Sequence, residues 1–236
     1  MKIALIGYGK MGKTIEKFAV NRGHTITVKI DKDNTNDIFS DAFKSSDVAI
    51  EFTMPETAFN NVINSLKMGV SVVSGTTGWL NRLDEAKQLN KEKNLGFVYS
   101  SNYSLGVNIF FYLNKKLAEV MKKYPEYKPE IEEIHHIHKM DAPSGTAITL
   151  AEEIIAQADG LKKWSLDAEP ESLHITSVRE GEVPGTHIVS YENDIDTIKI
   201  THEAKNRDGL AFGAVIAAEF IYGKQGFYTM KDILGL

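Results

Sequence analysis

An apolar strand, a glycine turn and an amphipathic helix open the chain and constrain its fold. Ile3 to Ile6 form an apolar run, and Gly7, Gly9 and Gly12 follow in a G-x-G-x-x-G pattern. Apolar side chains then recur at helical spacing, and a second apolar strand ends at Asp31. Strand, glycine turn, helix and strand in this order predict a parallel β–α–β unit.

The glycine turn has the context of a dinucleotide site. Its glycines allow a tight turn, a close approach of backbone to a pyrophosphate, and close packing of helix on sheet. Asp31 follows about 20 residues later, where a carboxylate can accept hydrogen bonds from ribose hydroxyls. Asp31 would favour the unphosphorylated ribose of NAD, whereas Lys32 would favour the 2′-phosphate of NADP. Lys32 could equally be the start of a solvated loop. The sequence therefore leaves the choice between NAD and NADP open. The alternative to a dinucleotide site is that these glycines serve only to form a tight turn.

Further strands and helices alternate up to residue 102. Apolar runs at 47–53, 70–78 and 96–102 are separated by helical patterns at 55–68 and 82–93. This alternation predicts a parallel, doubly wound sheet. The polar segments "SGTTG" and "SSNYS", which follow two of these strands, are suited to offer backbone groups to a nicotinamide ring, although ordinary loops would look similar.

The alternation of strands and helices ends after residue 102. Runs of strands with separated helices predict an α+β domain with a mixed or antiparallel sheet, and a closing apolar helix at 210–222 is expected to pack back on the first sheet. We therefore expect a dinucleotide-binding domain at 1–105 and 209–236. Residues 106–208 are expected to form a substrate-binding and oligomerisation domain.

Composition narrows the class of partner. The 236 residues include 27 Lys and Arg against 32 Asp and Glu, and no basic run is suited to a phosphate backbone. The absence of cysteine is compatible with a reducing compartment, and no apolar run reaches the length of a membrane span. We expect a cytoplasmic protein that binds neither nucleic acid nor membrane.

The segment "EIHHIHKMDAPSGTA", at 133–147, concentrates three of the seven histidines. If "IEEIHHIHK" is one strand, its alternation puts His135 and Lys139 on the same face, as a proton donor and an anion contact. A helix then starts near Ser144 and Thr146, and free N–H groups at a helix start can bind a carboxylate. Together these features predict an acidic substrate.

The cluster has two other interpretations. His136 and His138 form an H-x-H pair with Asp141 close behind, which resembles a metal site, but Lys139 would place a positive charge beside the cation. No other His-rich segment completes a ligand shell, so we predict no metal. The second interpretation is structural, with the histidines paired to neighbouring glutamates on a solvated sheet face, and it is our interpretation of His138.

These motifs together resemble one family, 4-hydroxy-tetrahydrodipicolinate reductase, also called dihydrodipicolinate reductase. The pattern E-x-H-H-x-x-K-x-D-x-P-S-G-T-A is matched throughout 133–147. The glycine turn, "DVAIEFTMPE", "SGTTGW", "SNYSLGVN" and "THEAKNRDGLAFGAV" also match in family order. The resemblance implies a Rossmann-type domain, a mixed-sheet domain that builds a homotetramer, and reduction of a small cyclic dicarboxylate by NADH or NADPH in the diaminopimelate route to lysine.

The resemblance also assigns roles to individual residues. It implies that His135 and Lys139 are catalytic and that His136, Ser144, Gly145 and Thr146 bind the substrate. The implied cofactor contacts are Gly7, Tyr8, Gly9, Lys10, Met11, Gly12, Asp31, Lys32, Gly75, Thr76, Thr77, Ser100, Ser101, Asn102 and Tyr103. A dinucleotide-binding sensor with an unused pocket is the alternative from a different functional class.

Overall fold

The chain divides into two compact units, Met1–Leu105 with Asp208–Leu236 and Gly106–Arg207. The structure is a computed structural model and describes residues 1–206 and 208–236. Within these residues, none of the helices combines the length and the apolar character that a membrane crossing requires.

The first unit is built on a six-stranded sheet in the order β11-β5-β4-β3-β1-β2, and every neighbouring pair is parallel. Its strands are β1 (Lys2–Ile6), β2 (Thr25–Ile30), β3 (Val48–Glu51), β4 (Ser71–Ser74), β5 (Gly96–Tyr99) and β11 (Gly226–Tyr228). Its helices are α1 (Lys10–Asn21), α2 (Asp41–Lys44), α3 (Pro55–Lys67), α4 (Leu83–Lys93), α7 (Asp208–Ile221) and α8 (Met230–Leu234). Short 3₁₀ segments cover Thr35–Phe39 and Leu80–Arg82.

Both faces of this sheet are covered, which explains why its central strands are apolar without alternation. One face packs against α1 and α7 through a core that includes Ile15, Ala19 and Ala214. The other face carries separate clusters around Phe43 and around Val62. The expectation that the closing helix packs on the first sheet is therefore confirmed.

The second unit contains a five-stranded mixed sheet in the order β10-β9-β6-β8-β7. The strand β6 lies parallel to β8 and antiparallel to β9. Its strands are β6 (Lys128–His135), β7 (Lys163–Ser165), β8 (Ser172–Arg179), β9 (Thr186–Glu192) and β10 (Thr197–Glu203), and its helices are α5 (Leu105–Met121) and α6 (Gly145–Ile155). Residues of α5 and α6, including Phe110, Leu150 and Ile154, pack with Ile131, Ile175 and Val189 of the sheet.

The predicted fold class, a doubly wound parallel sheet plus an α+β domain with a mixed sheet, is confirmed. One element boundary was wrong. The strand predicted to run to Lys139 ends at His135, because the N–H of Lys139 donates to the carbonyl of His136 at 3.1 Å and closes a turn. Alternation therefore does not apply beyond His135. The short strands β7 and β11 were not predicted.

Candidate active site

The glycine turn follows β1 and is packed too tightly for side chains at two of its positions. A Cβ at Gly7, which has a φ of +92°, would lie 1.9 Å from the carbonyl oxygen of Phe52. A Cβ at Gly12 would lie 2.2 Å from the carbonyl oxygen of Gly7. These close approaches bring the end of β3 and the first turn of α1 against the loop, and they explain why glycine is required there.

Gly9 is different, because a Cβ added there would meet no atom within 4 Å. It is the N-cap of α1, and its helix start has no side-chain cap. Open space beside the uncapped N-terminus of a 12-residue helix fits a pyrophosphate group. Lys10, exposed, and Met11, half-buried against the core, begin this helix. The turn therefore fits a dinucleotide.

Asp31 and Lys32, the residues predicted to contact a ribose of the dinucleotide, follow the end of β2. Asp31 and Lys32 are both exposed, and Oδ1 of Asp31 accepts a hydrogen bond from the Lys32 N–H at 2.8 Å. The side chain of Tyr8 is held against the protein instead. Its hydroxyl donates to Glu16, and Nζ of Lys29 lies 4.8 Å from its ring centroid. The carboxylate and the cation after β2 thus both remain accessible to a ribose.

A buried carboxylate joins the ends of β3 and β4. Glu51 is fully buried and accepts hydrogen bonds from the hydroxyls of Ser74 at 2.6 Å and Thr76 at 2.7 Å, and from the Thr53 N–H at 3.0 Å. Gly75 lies between the two hydroxyl donors, and a Cβ there would fall 2.3 Å from the Phe52 ring. The Thr76 hydroxyl is directed inward, so any contact with a cofactor comes from its backbone.

The segment after β5 separates into exposed and buried residues. Ser101 is exposed, and so is Thr77 of the preceding loop. The hydroxyl of Ser100 donates to the carbonyl of Asn102 at 2.8 Å, which closes a tight local turn. Tyr103 is buried, and its hydroxyl donates to the carbonyl of Ser74 at 2.8 Å. Its ring belongs to the core, so only its backbone is available to a ligand.

In the second unit, Glu133 of β6 is a fully buried carboxylate. Its Oε1 accepts three hydrogen bonds, from Oγ of Ser177 at 2.9 Å, Nη2 of Arg179 at 2.9 Å and the N–H of Ser144 at 3.1 Å. Burial by itself raises the pKa of Glu133, but His135 and these three donors outweigh it and hold the pKa well below its ordinary value. The carboxylate is therefore ionised at neutral pH.

His135, the last residue of β6, places its two ring nitrogens in different surroundings. Nδ1 is buried and lies 3.1 Å from Oε2 of Glu133, within hydrogen-bond distance although the two are not aligned as a hydrogen bond. At the other edge, a Cβ added to Gly185 would lie 3.0 Å from Nε2. Residue 185 is glycine and therefore places no side chain over that edge. One nitrogen thus faces a buried anion and the other faces the backbone of Gly185.

His187 of β9 pairs directly with Glu133 in the strand register. Its ring meets that of His135 edge to face with centroids 5.0 Å apart, and its Nε2 lies 3.1 Å from Oγ of Ser144. Burial, with the nearby His135, lowers the pKa of His187 to about 4. His187 is therefore neutral at neutral pH and serves as a packing and hydrogen-bonding partner.

The start of α6 has the features of an anion-binding site. Ser144 caps this helix, since its hydroxyl accepts from the N–H of Ala147 at 3.2 Å. Among the residues that the structure describes, none accepts from the N–H groups of Gly145 or Thr146. A Cβ at Gly145 would meet no atom within 4 Å. Free N–H groups beside open space at the positive end of a helix are suited to a carboxylate.

Lys139 lies in the turn beyond β6, so the face-sharing argument that linked it to His135 was wrong. Its Nζ lies 2.7 Å from both carboxylate oxygens of Asp141, and this pairing lowers the pKa of Asp141. His136 and His138 are also in the turn, with ring centroids 6.1 Å apart. His138 is exposed.

The metal-type grouping that the structure brings together is not the one considered from the sequence. In the described part of the chain, the ligand atoms of Glu133, His135 and His187 lie within 4.8 Å of one another. His136 and His138 do not belong to this group. The guanidinium of Arg179 already supplies a positive charge to Glu133. A cation at this position would be repelled by that charge, so the donor set is better suited to proton chemistry.

Sequence reasoning did not single out Glu133, Ser177, Arg179 and His187. A signal existed for Glu133, because a residue two positions before His135 on one strand shares its face. The structural interpretation instead placed this glutamate on a solvated face, and its complete burial contradicts that. No local signal existed for the other three, since they come from two further strands whose register depends on tertiary pairing.

The fold and these two sites define an NAD(P)-dependent oxidoreductase. Residues 1–103 match the family Dihydrodipicolinate reductase, N-terminus, and residues 106–234 match Dihydrodipicolinate reductase, C-terminus. The chain therefore belongs to the dihydrodipicolinate reductase family. It performs the NAD(P)H-dependent reduction step of that family in diaminopimelate and lysine biosynthesis.

Individual relatives agree with this assignment. The chain is 51% identical to a 4-hydroxy-tetrahydrodipicolinate reductase of Christiangramia forsetii over 99% of its length and 98% of the relative. It is 34% identical to the Ralstonia pickettii protein of the same name, with both chains fully covered. A dipicolinate-bound dihydrodipicolinate reductase of Paenisporosarcina sp. TG-14 shares the fold, with a TM-score of 0.77, 22% identity and 97% coverage of both chains.

Proposed function

We propose that the second unit binds a small cyclic dicarboxylate and that His135 donates the proton of the reduction. One observation carries this proposal. An imidazole with one nitrogen against an ionised, buried carboxylate and the other beside the side-chain-free Gly185 belongs to the same compact unit as a helix start with free N–H groups. That combination is suited to bind an anion and to move a proton.

The proposed substrate is 4-hydroxy-tetrahydrodipicolinate, through dihydrodipicolinate. Family membership supports this, and so does the solved relative that carries dipicolinate, a cyclic dicarboxylate. The N–H groups of Gly145 and Thr146 would hold one carboxylate beside Ser144, and His136 is proposed as a further contact. The Ser144 hydroxyl already caps α6 and contacts His187, so its contribution comes through holding the helix start in place.

The first unit would hold NADH or NADPH, with the pyrophosphate at Gly9 and the start of α1 and the ribose near Asp31 and Lys32. The 4-hydroxy compound first loses water to give dihydrodipicolinate, and the bound cofactor would supply the hydride for C4 of that unsaturated ring. His135 would supply the accompanying proton, so dihydrodipicolinate gains two electrons and two hydrogens and becomes tetrahydrodipicolinate. Glu51 would fix the loops that follow β3 and β4, on which the nicotinamide side depends.

Lys139 is proposed as a second proton donor, whose ammonium also binds a carboxylate of the substrate. In the structure its ammonium is paired with Asp141. A dicarboxylate would compete with Asp141 for this ammonium, and the exposed position of Asp141 allows it to be released to water. A homotetramer and a cytoplasmic location complete the proposal, and both are supported by the family and its biosynthetic role. Sedimentation velocity tests the oligomeric state.

Replacement of His135 by Gln and of Lys139 by Met tests these roles. We expect each change to lower kcat by about 100-fold or more, because a positioned proton donor contributes that much, while the Kd of NADH is unchanged. The assay follows oxidation of NADH and of NADPH with freshly made product of dihydrodipicolinate synthase. His138→Gln, in the same turn but exposed, is the matched control. Near-normal turnover of the double variant would contradict the proposal, and loss of activity to a chelator would favour metal chemistry.

A further inference from the structure

We propose that Glu133 is a positioning residue that fixes the ring orientation and the tautomer of His135. Arg179, Ser177 and the Ser144 backbone hold this carboxylate in the orientation that it needs. The inference rests on the proposed function, because it takes His135 as the proton donor.

The two oxygens of Glu133 have separate tasks. Oε1 receives the three donors from Ser177, Arg179 and Ser144, and this fixes the rotation of the carboxylate. Oε2 has no aligned hydrogen bond among the described residues, and Nδ1 of His135 lies 3.1 Å away. A small rotation of the imidazole would convert this contact into a hydrogen bond. Oε2 is therefore the oxygen that is available to accept a hydrogen bond from Nδ1.

A carboxylate that stays ionised only accepts hydrogen bonds, and this determines where the ring carries its hydrogens. Glu133 is ionised at neutral pH, since its donors hold its pKa well below the ordinary value. Nδ1 of His135 must then carry a hydrogen in both the charged and the neutral ring. The proton that His135 gives away comes from Nε2, at the edge beside Gly185. After the transfer, the neutral ring already has the favoured tautomer.

Glu133→Gln is a sharp test because the surroundings dictate how the amide is oriented. Three donors converge on the Oε1 position, so the amide oxygen must occupy it and the NH₂ group must take the Oε2 position. That NH₂ group then faces Nδ1 and favours a hydrogen on Nε2 instead. We expect kcat to fall by about 100-fold or more, with the Kd of NADH unchanged. Glu130→Gln, the same change at an exposed position of β6, should leave kcat unchanged.

A double variant separates positioning from a general loss of structure. In a His135→Gln background, Glu133→Gln should cause no further fall in kcat, because the residue through which it acts is gone. A further fall of similar size would overturn the inference. If His135→Gln itself left turnover normal, the proposed function would fail first. If only Glu133→Gln left turnover normal, this inference alone would fail.

A measurement on the unaltered chain reports the tautomer of His135 directly and does not rest on a change in kcat. Nitrogen-15 NMR of the histidine rings, with the His135 signals assigned by their loss in His135→Gln, reports which ring nitrogen carries hydrogen. We expect the neutral ring of His135 to carry it on Nδ1. In Glu133→Gln the hydrogen should move to Nε2. A neutral ring protonated on Nε2 in the unaltered protein would overturn the inference.

Discussion

Nη2 of Arg179 lies 2.9 Å from Oε1 of Glu133, and this ion pair ties β8 to β6 beside the imidazole of His135. The carboxylate is fully buried, whereas the guanidinium side chain keeps 20% of its exposure. Nη2 of Arg179 also donates to the carbonyl of Asp141 at 2.6 Å. One side chain thus connects the strand that carries His135 with the loop that leads into α6.

Arg179→Met should destabilise the second unit. Removal of the guanidinium leaves Glu133 charged and buried without its cation, and loss of one partner of such a pair costs about 3 kcal/mol. Urea unfolding followed by tryptophan fluorescence measures the change. Lys162→Met, which removes the exposed pair with Glu171, should have little effect and serves as the control. Equal losses in the two variants would show that burial of Glu133 does not determine the cost.

Acid should destabilise the same unit through His187 and Glu133. The folded-state pKa of His187 is lowered to about 4 from 6.5, so the unfolded chain binds a proton there between these pH values and the folded chain does not. The free energy of unfolding therefore falls as pH drops through this window, by at most about 3 kcal/mol from His187. The lowered pKa of Glu133 adds a further loss below about pH 4.5.

Urea unfolding between pH 4.5 and 7.5 checks this effect. His187→Gln should flatten the dependence of the free energy of unfolding on pH. Tyr191→Phe, on the same strand, is the control, because burial raises the pKa of Tyr191 to about 12, far above the window. Parallel curves for the unaltered chain and His187→Gln would show that His187 does not titrate differently on unfolding.

The first unit was predicted well because each of its longer elements is defined by a pattern within a short stretch of sequence. The strand before Gly7, the helix after Gly9 and the acidic residue that ends the second strand are each readable from neighbouring residues, and a parallel sheet follows from their alternation. The short strands β7 and β11 escaped detection because three residues are too few to show a period.

The second unit was harder, for two physical reasons. The alternation of a strand was extended through a turn, which misplaced Lys139 relative to His135. The partners of Glu133 on β8 and β9 depend on register between strands, and no single segment encodes that. A sequence thus indicates His135 and the anion-binding helix start more readily than the residues of β8 and β9 that position them.

Gly185→Ala should impair catalysis by crowding His135. The added Cβ would lie 3.0 Å from Nε2 and displace the ring, and misplacement of a catalytic group lowers kcat by about 10- to 100-fold. Gly181→Ala is the matched control. Gly181 lies in the same loop and also has a positive φ, +47°, but its Cβ would meet no atom within 4 Å. Steady-state kinetics should show the loss of kcat only for Gly185→Ala.

The two helix starts can be tested against each other, because both accept a side chain without a clash. A Cβ at Gly9 or at Gly145 meets no atom within 4 Å, and aspartate is favourable at a helix start. Gly9→Asp and Gly145→Asp should therefore fold normally while each places a negative charge where an anion is expected to bind.

Gly9→Asp should raise the KM of NADH and of NADPH by about 10- to 100-fold through charge repulsion, and leave the KM of the dicarboxylate nearly unchanged. Gly145→Asp should produce the opposite pattern. Each variant is the control for the other, and melting temperatures confirm that both are folded. If both variants raised the same KM, the assignment of the pyrophosphate to α1 and of the substrate carboxylate to α6 would be wrong, because the two charges would then be acting on one ligand.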